Sequence, residues 1–121
     1  MGTRAYHQLL VWRRGRALAI EVGREANSPA FRRDWSLRDQ MRRAAIGVPS
    51  NIAEGNERGS DRDGARFFYY ARGSLAELAT QADIAQAIEL LDKNLAAQWI
   101  AECDQLGRML ARLIRFRFEH N

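Results

Sequence analysis

The sequence predicts an all-α protein: an up-down-up-down antiparallel four-helix bundle forming a single domain over residues 1–121. Three observations carry this. Apolar residues recur at spacings of three and four in four separate stretches, the period that lines one face of a helix. Only two prolines occur, as long helices require. No stretch shows the strict apolar–polar alternation of a half-buried strand. A chain of 121 residues suits one domain, and 46% hydrophobic residues exclude a disordered one.

The first helix is expected over residues 6–26, where Val11, Trp12, Gly15, Leu18, Ala19, Val22 and Ala26 form one stripe. Ser28-Pro29 turns the chain, and Phe31 and Trp35 are expected to tuck the connection onto the bundle. The second helix, residues 36–58, starts at Ser36 with Asp39 in the capping-box position. Its stripe is Leu37, Met41, Ala44, Val48, Ile52 and Gly55. Pro49 lies inside it and predicts a kink rather than a stop, because the apolar spacing continues in phase beyond it. Ser50 and Asn51 stand ready to satisfy the backbone groups that proline frees. Gly55 and Gly59 read as helix termination, and Ser60 caps the next helix.

The third helix, residues 61–90, places Phe67, Phe68, Ala71, Leu75, Leu78, Ala79, Ala82 and Ala85 toward the core. Its small residues, Ala71, Gly73, Ser74, Ala79 and Ala82, would admit a close neighbour. Asp92 or Asn94 caps the fourth helix, residues 94–118, with the stripe Trp99, Cys103, Leu106, Leu110 and Leu113. Short links after the second and third helices make those neighbours antiparallel.

Charge sets the functional options. Nineteen basic residues stand against 15 acidic, and all but Lys93 are arginine, whose planar fork binds phosphate and carboxylate. A GC-rich coding sequence would give the same bias. Residues 1–33 hold seven arginines against two glutamates, and residues 105–121 hold four against one. In an up-down bundle the start of helix one lies beside the end of helix four. Arg4, Arg13, Arg14 and Arg16 are thus expected to join Arg108, Arg112, Arg115 and Arg117 in one basic end, a candidate nucleic-acid surface. The alternative is a merely solvated arginine-rich face. Trp12, Trp35 and Trp99 read as core or interface anchors, with base stacking as the functional alternative.

Enzymatic signals are weak. His7 and His120 sit near opposite termini, no Glu-x-x-His pattern suggests a di-iron site, and no phosphate-cradling glycine loop occurs. No catalysis, metal or cofactor is expected. The single cysteine, Cys103, excludes an internal disulfide and fits a reducing cytoplasm. Arg13, Arg14 and Arg16 interrupt the N-terminal apolar run, so neither a signal peptide nor a membrane span is expected there.

The middle of the chain carries a distinctive pattern: Leu37, Gln40, Arg42 and Arg43, Ala44 and Ala45, Pro49, then Asn51, Ile52, Ala53, Glu54 and Gly55. Arg58, Gly59, Ser60 and Phe67 follow, then Ala71, Arg72, Gly73, Ser74, Leu75, Glu77 and Leu78. This resembles the bacterial four helix bundle protein family, also called the large-subunit rRNA intervening-sequence protein family, over nearly the whole chain. Gly47 departs from it, since the family usually has serine there. The family is similar to the accessory protein of diversity-generating retroelements, which forms a homopentamer and binds nucleic acid and a reverse transcriptase. The resemblance therefore implies a homopentamer with itself as first partner, and RNA, DNA or another protein as the second.

Within the pattern, Arg42, Arg43, Asn51 and Glu54 form a binding surface on one reading. On the other, Asn51 repairs the proline break and Glu54 pairs with Arg58 one turn on. Arg72 lies in a mainly apolar stretch, so burial would demand a partner: Glu77, Glu54 or a carboxylate of a neighbouring subunit.

Overall fold

The computed structural model describes residues 5–119. Among them, four α-helices form an antiparallel bundle: α1 (Leu10–Ala26), α2 (Trp35–Glu57), α3 (Asp61–Ala87) and α4 (Lys93–Glu119). The α2–α3 seam is the most extensive and the α1–α4 seam the thinnest. One core runs through all four helices, and Val48, Ile52, Leu78, Leu106 and Leu110 are sealed from solvent. Each such aliphatic contributes roughly 1.5–3 kcal/mol through burial.

The helix starts obey local chemistry, with shifts from expectation. A separate 3-10 turn, Tyr6–Gln8, precedes α1, because Leu9 is extended (φ −73°, ψ 127°) and breaks the helix there. α2 begins at Trp35 rather than Ser36, since the Asp34 carboxylate accepts from the Leu37 N–H at 3.1 Å. Asp39 is therefore no capping partner. It pairs with Arg43 at 3.1 Å. Ser60 caps α3 through the Asp63 N–H (3.1 Å), and Asp92, not Asn94, receives the Leu95 N–H at 3.0 Å ahead of α4.

α3 ends at Ala87, short of the expected residue 90. The Leu90 N–H reaches back to the Ala85 carbonyl (2.8 Å) and the Glu89 N–H to Gln86 (3.1 Å). This paired closure requires left-handed backbone between them, and Glu89 supplies it at φ 64° without being glycine.

Gly55 plays a different part from the one expected. Gly55 lies inside α2, which ends only at Glu57, so it terminates nothing. A Cβ on Gly55 would stand 2.8 Å from the Gly64 carbonyl oxygen, and a Cβ on Gly64 would stand 2.5 Å from that of Gly55. α2 and α3 thus meet backbone to backbone. Gly47 marks a second close approach, where a Cβ would lie 2.7 Å from Ser74 Oγ. Glycine at 47, the departure from the family pattern, lets the helices close on Ser74.

α2 continues without interruption through Pro49. Asn51 Nδ2 donates to the Gly47 carbonyl at 2.8 Å, one turn back, rather than to Ala45, whose usual donor proline removes. The connection between α1 and α2 is closed by Phe31, 1% exposed, and by Arg38, which donates to the Ala26 carbonyl (2.8 Å) and Asn27 Oδ1 (3.2 Å). Trp35 does not tuck in. It stands 67% exposed. Phe67 is only half-buried and Phe68 takes the core position, while Ile114 replaces Leu113 on the buried face of α4.

Candidate nucleic-acid interface

α1 and α4 run antiparallel, and the start of one lies beside the end of the other. Leu10, Met109, Arg112 and Phe116 flank a shared groove of about 340 Å³. The two basic segments of the sequence therefore do meet at one end of the bundle, except that Arg4 lies outside the described residues.

They meet only in part as one basic surface. Arg13 and Arg16 are exposed, and Arg13 Nε donates to the His7 carbonyl at 3.0 Å. Arg108, Arg112 and Arg115, spaced four and three apart, form an exposed stripe along α4. Arg108 keeps an ion pair with Asp104 at 3.1 Å. The stripe stands between two apolar grooves: the one beside α1, and one of about 400 Å³ beside α3 lined by Arg72, Leu75, Ala79, Cys103 and Arg108.

Two expected members are diverted. Arg14 turns into the α1–α4 seam and grips Glu102 with two prongs, Nε to Oε2 at 3.0 Å and Nη2 to Oε1, with a further bond to Gln105 at 2.6 Å. Its charge is matched there, and the hydrogen bond to Glu102 raises its pKa further. Arg117 is 5% exposed. It falls on the core phase of α4, seven residues past Leu110, and points inward. Its Nη2 donates to Asn56 Oδ1 at 2.6 Å, and its guanidinium lies 5.1 Å from the centre of the Phe68 ring. Among the described residues the buried arginine is thus Arg117. Arg72, expected in that role, is exposed, 6.0 Å over Tyr69, and forms no ion pair among the described residues.

The remaining pattern residues divide between structure and surface. Gly55 makes the helix contact and Pro49 is half-buried inside α2. Arg43, Ser74 and Glu77 line a shallow cleft on the α2–α3 seam with Gln40 and Gln81. Asn51 and Glu54 border a second hollow with Tyr6 and Phe67. Glu54 reaches Arg58 at 4.0 Å, but Asp63 is the closer partner at 2.6 Å, and Arg58 holds that carboxyl below its ordinary range. Arg42 faces solvent, as does Gly73, where an added Cβ would meet nothing. The α2–α3 turn is charge-balanced, so the unmatched positive charge at this end belongs to α1 and α4.

Cys103 is buried, and desolvation, with the Glu102 charge second, pushes its thiol up to about 12, so it remains a neutral apolar filler. Among the described residues no cluster of His, Cys, Asp and Glu is arranged to hold a metal ion, and no helix is long and apolar enough to cross a membrane.

Sequence reasoning missed the burial of Arg117 and the exposure of Trp35. The first had a signal, the three-and-four spacing of Trp99, Cys103, Leu106, Leu110, Ile114 and Arg117. No curated protein matches the chain. The family model described as 23S rRNA-intervening sequence protein matches residues 7–112, which spans all of α1, α2 and α3 and most of α4. The chain belongs to the 23S rRNA-intervening sequence protein family.

Proposed function

We propose that this protein is a non-enzymatic, oligomeric, nucleic-acid-associated bundle of the cytoplasm. The observation that carries the reading is the exposed arginine stripe of α4, Arg108, Arg112 and Arg115, with Arg13 and Arg16 also exposed on α1. Solvated guanidinium groups in a row displace counterions from phosphates, and repetition of the stripe around a ring multiplies the field. Affinity for structured RNA or DNA is expected to fall steeply with salt. Arg112→Gln with Arg115→Gln should lower the slope of log K against log salt by about 2. Absence of any shift of either nucleic acid at low salt would sink the reading.

The family resemblance supports a homopentamer as the working assembly. Light scattering at micromolar concentration should give a mass near five chains, and a monomer mass overturns it. A second reading, a scaffold for a protein partner, is favoured by the exposed Tyr69, Tyr70 and Ile84 on α3 and Ile88 just beyond its end. A partner retained from the host after nuclease treatment would support it, while purely nuclease-sensitive material would count against it.

A further inference from the structure

The corner where α2 begins carries five arginines and two aspartates within residues 31–43. Its structural tasks are already filled. Phe31 plugs the connection, Asp34 caps α2, Arg38 ties α2 to the end of α1, and Asp39 is matched by Arg43. Trp35, Arg32, Arg33 and Arg42 are left exposed, and none of the three arginines is held in an ion pair among the described residues. Trp35 is 67% exposed and has neither a ring nor a cation partner among them.

Register places these groups together. Arg42 lies seven residues after Trp35, on the same face and about 10 Å along the axis. Arg32 and Arg33 form the turn immediately before Asp34. A largely exposed indole, flanked on both sides along the chain by unmatched guanidinium groups, combines a stacking platform with phosphate contacts. The groups nearest Trp35 are charged rather than apolar, and the exposed Ile46 on this face lies a full turn beyond Arg42. A duplex keeps its bases stacked on one another, so only an unpaired base can use the indole.

We infer that Trp35, with Arg32, Arg33 and Arg42, binds an unpaired stretch of nucleic acid, one base stacking on the indole and adjoining phosphates meeting the arginines. The inference rests on the nucleic-acid reading above but uses a different face of the bundle from the α4 stripe.

The test compares a labelled oligouridylate with an RNA duplex, using the full chain. Trp35→Ala should weaken oligouridylate binding about tenfold or more and leave duplex binding within about twofold. Oligouridylate should quench tryptophan emission in the native chain, and the quenching should vanish in Trp35→Phe, which keeps a ring for stacking and much of the affinity. Arg33→Gln and Arg42→Gln should each reduce the single-strand salt slope by about 0.7. Equal oligouridylate affinity in Trp35→Ala and the native chain overturns the inference alone. So does a change in assembly mass in Trp35→Ala, which would make this face a contact between copies. Failure of both probes to bind the native chain at low salt overturns this inference and the parent reading together.

Discussion

Replacing Gly64 by alanine is expected to destabilise the bundle by about 2 kcal/mol, although alanine is the better helix former. The added methyl would sit 2.5 Å from the Gly55 carbonyl oxygen, a main-chain atom that no rotamer change can move aside. Overpacking against backbone falls at the upper end of the usual cost, about 3 kcal/mol, and the gain in helix propensity returns about 1 kcal/mol. For a domain of this length the melting temperature should drop by about 6–10 °C, as thermal unfolding followed by circular dichroism would show. Gly73→Ala is the internal control. It lies in the same helix with nothing within 4 Å of the new Cβ, so it should stabilise by roughly 0.5–1 kcal/mol. Equal effects at the two sites would show that α2 and α3 do not meet backbone to backbone at Gly55 and Gly64.

The second large effect is expected at Arg117. Asn56→Leu removes the acceptor of its 2.6 Å hydrogen bond while the guanidinium stays in the interior over Phe68. Weakening the solvation of a buried charge in this way should cost about 3 kcal/mol. Arg117→Met loses the donor but keeps much of the apolar volume, and should cost about 1–2 kcal/mol. The double variant restores an all-apolar contact and should recover a large part of the loss. Urea titration of the four proteins gives the coupling directly, and simple additivity would contradict a specific Arg117–Asn56 bond. Arg117→Met should leave nucleic-acid affinity unchanged, in contrast with changes at Arg112 and Arg115, because its charge never reaches the surface.

These two sites also mark the limit of what the sequence reveals. Helix existence was legible from apolar phase: Val11 to Ala26, Met41 to Ile52, Phe68 to Ala85 and Trp99 to Leu110 all face the core as their spacing predicts. Capping by Ser60 was legible because a side-chain oxygen before a helix has one obvious donor to meet, whereas two candidates stood before α4 and the Leu95 N–H chooses Asp92 over Asn94. Gly55 was ambiguous, since glycine near a helix end satisfies the rule for termination as well as the rule for close approach, and only the position of Gly64 decides between them. Arg117 was assigned to the surface by its charge when its phase placed it inside, and burial follows phase once Asn56 and Phe68 receive the guanidinium. Arg13, Arg16, Arg112 and Arg115 were legible as exposed positions because they fall off the core phase. Trp35 was misplaced because apolar character suggests burial, while Phe31, four residues earlier, already fills the space.

The thin α1–α4 seam has a consequence of its own. Its polar ties are Arg14 to Glu102 and Trp99 Nε1 to Glu21 at 3.3 Å, whereas α2 and α3 approach most closely at Gly55 with Gly64 and at Gly47 with Ser74. Opening free energies within one domain follow such differences in local burial. The α2–α3 pair is then the part that persists through fluctuations, and the α1–α4 seam is the part that opens first. Its opening would uncover the inner faces of Leu18 and Trp99 and set Arg14 and Glu102 free in the same motion, coupling the cohesion of the fold to the charge state of its outer wall.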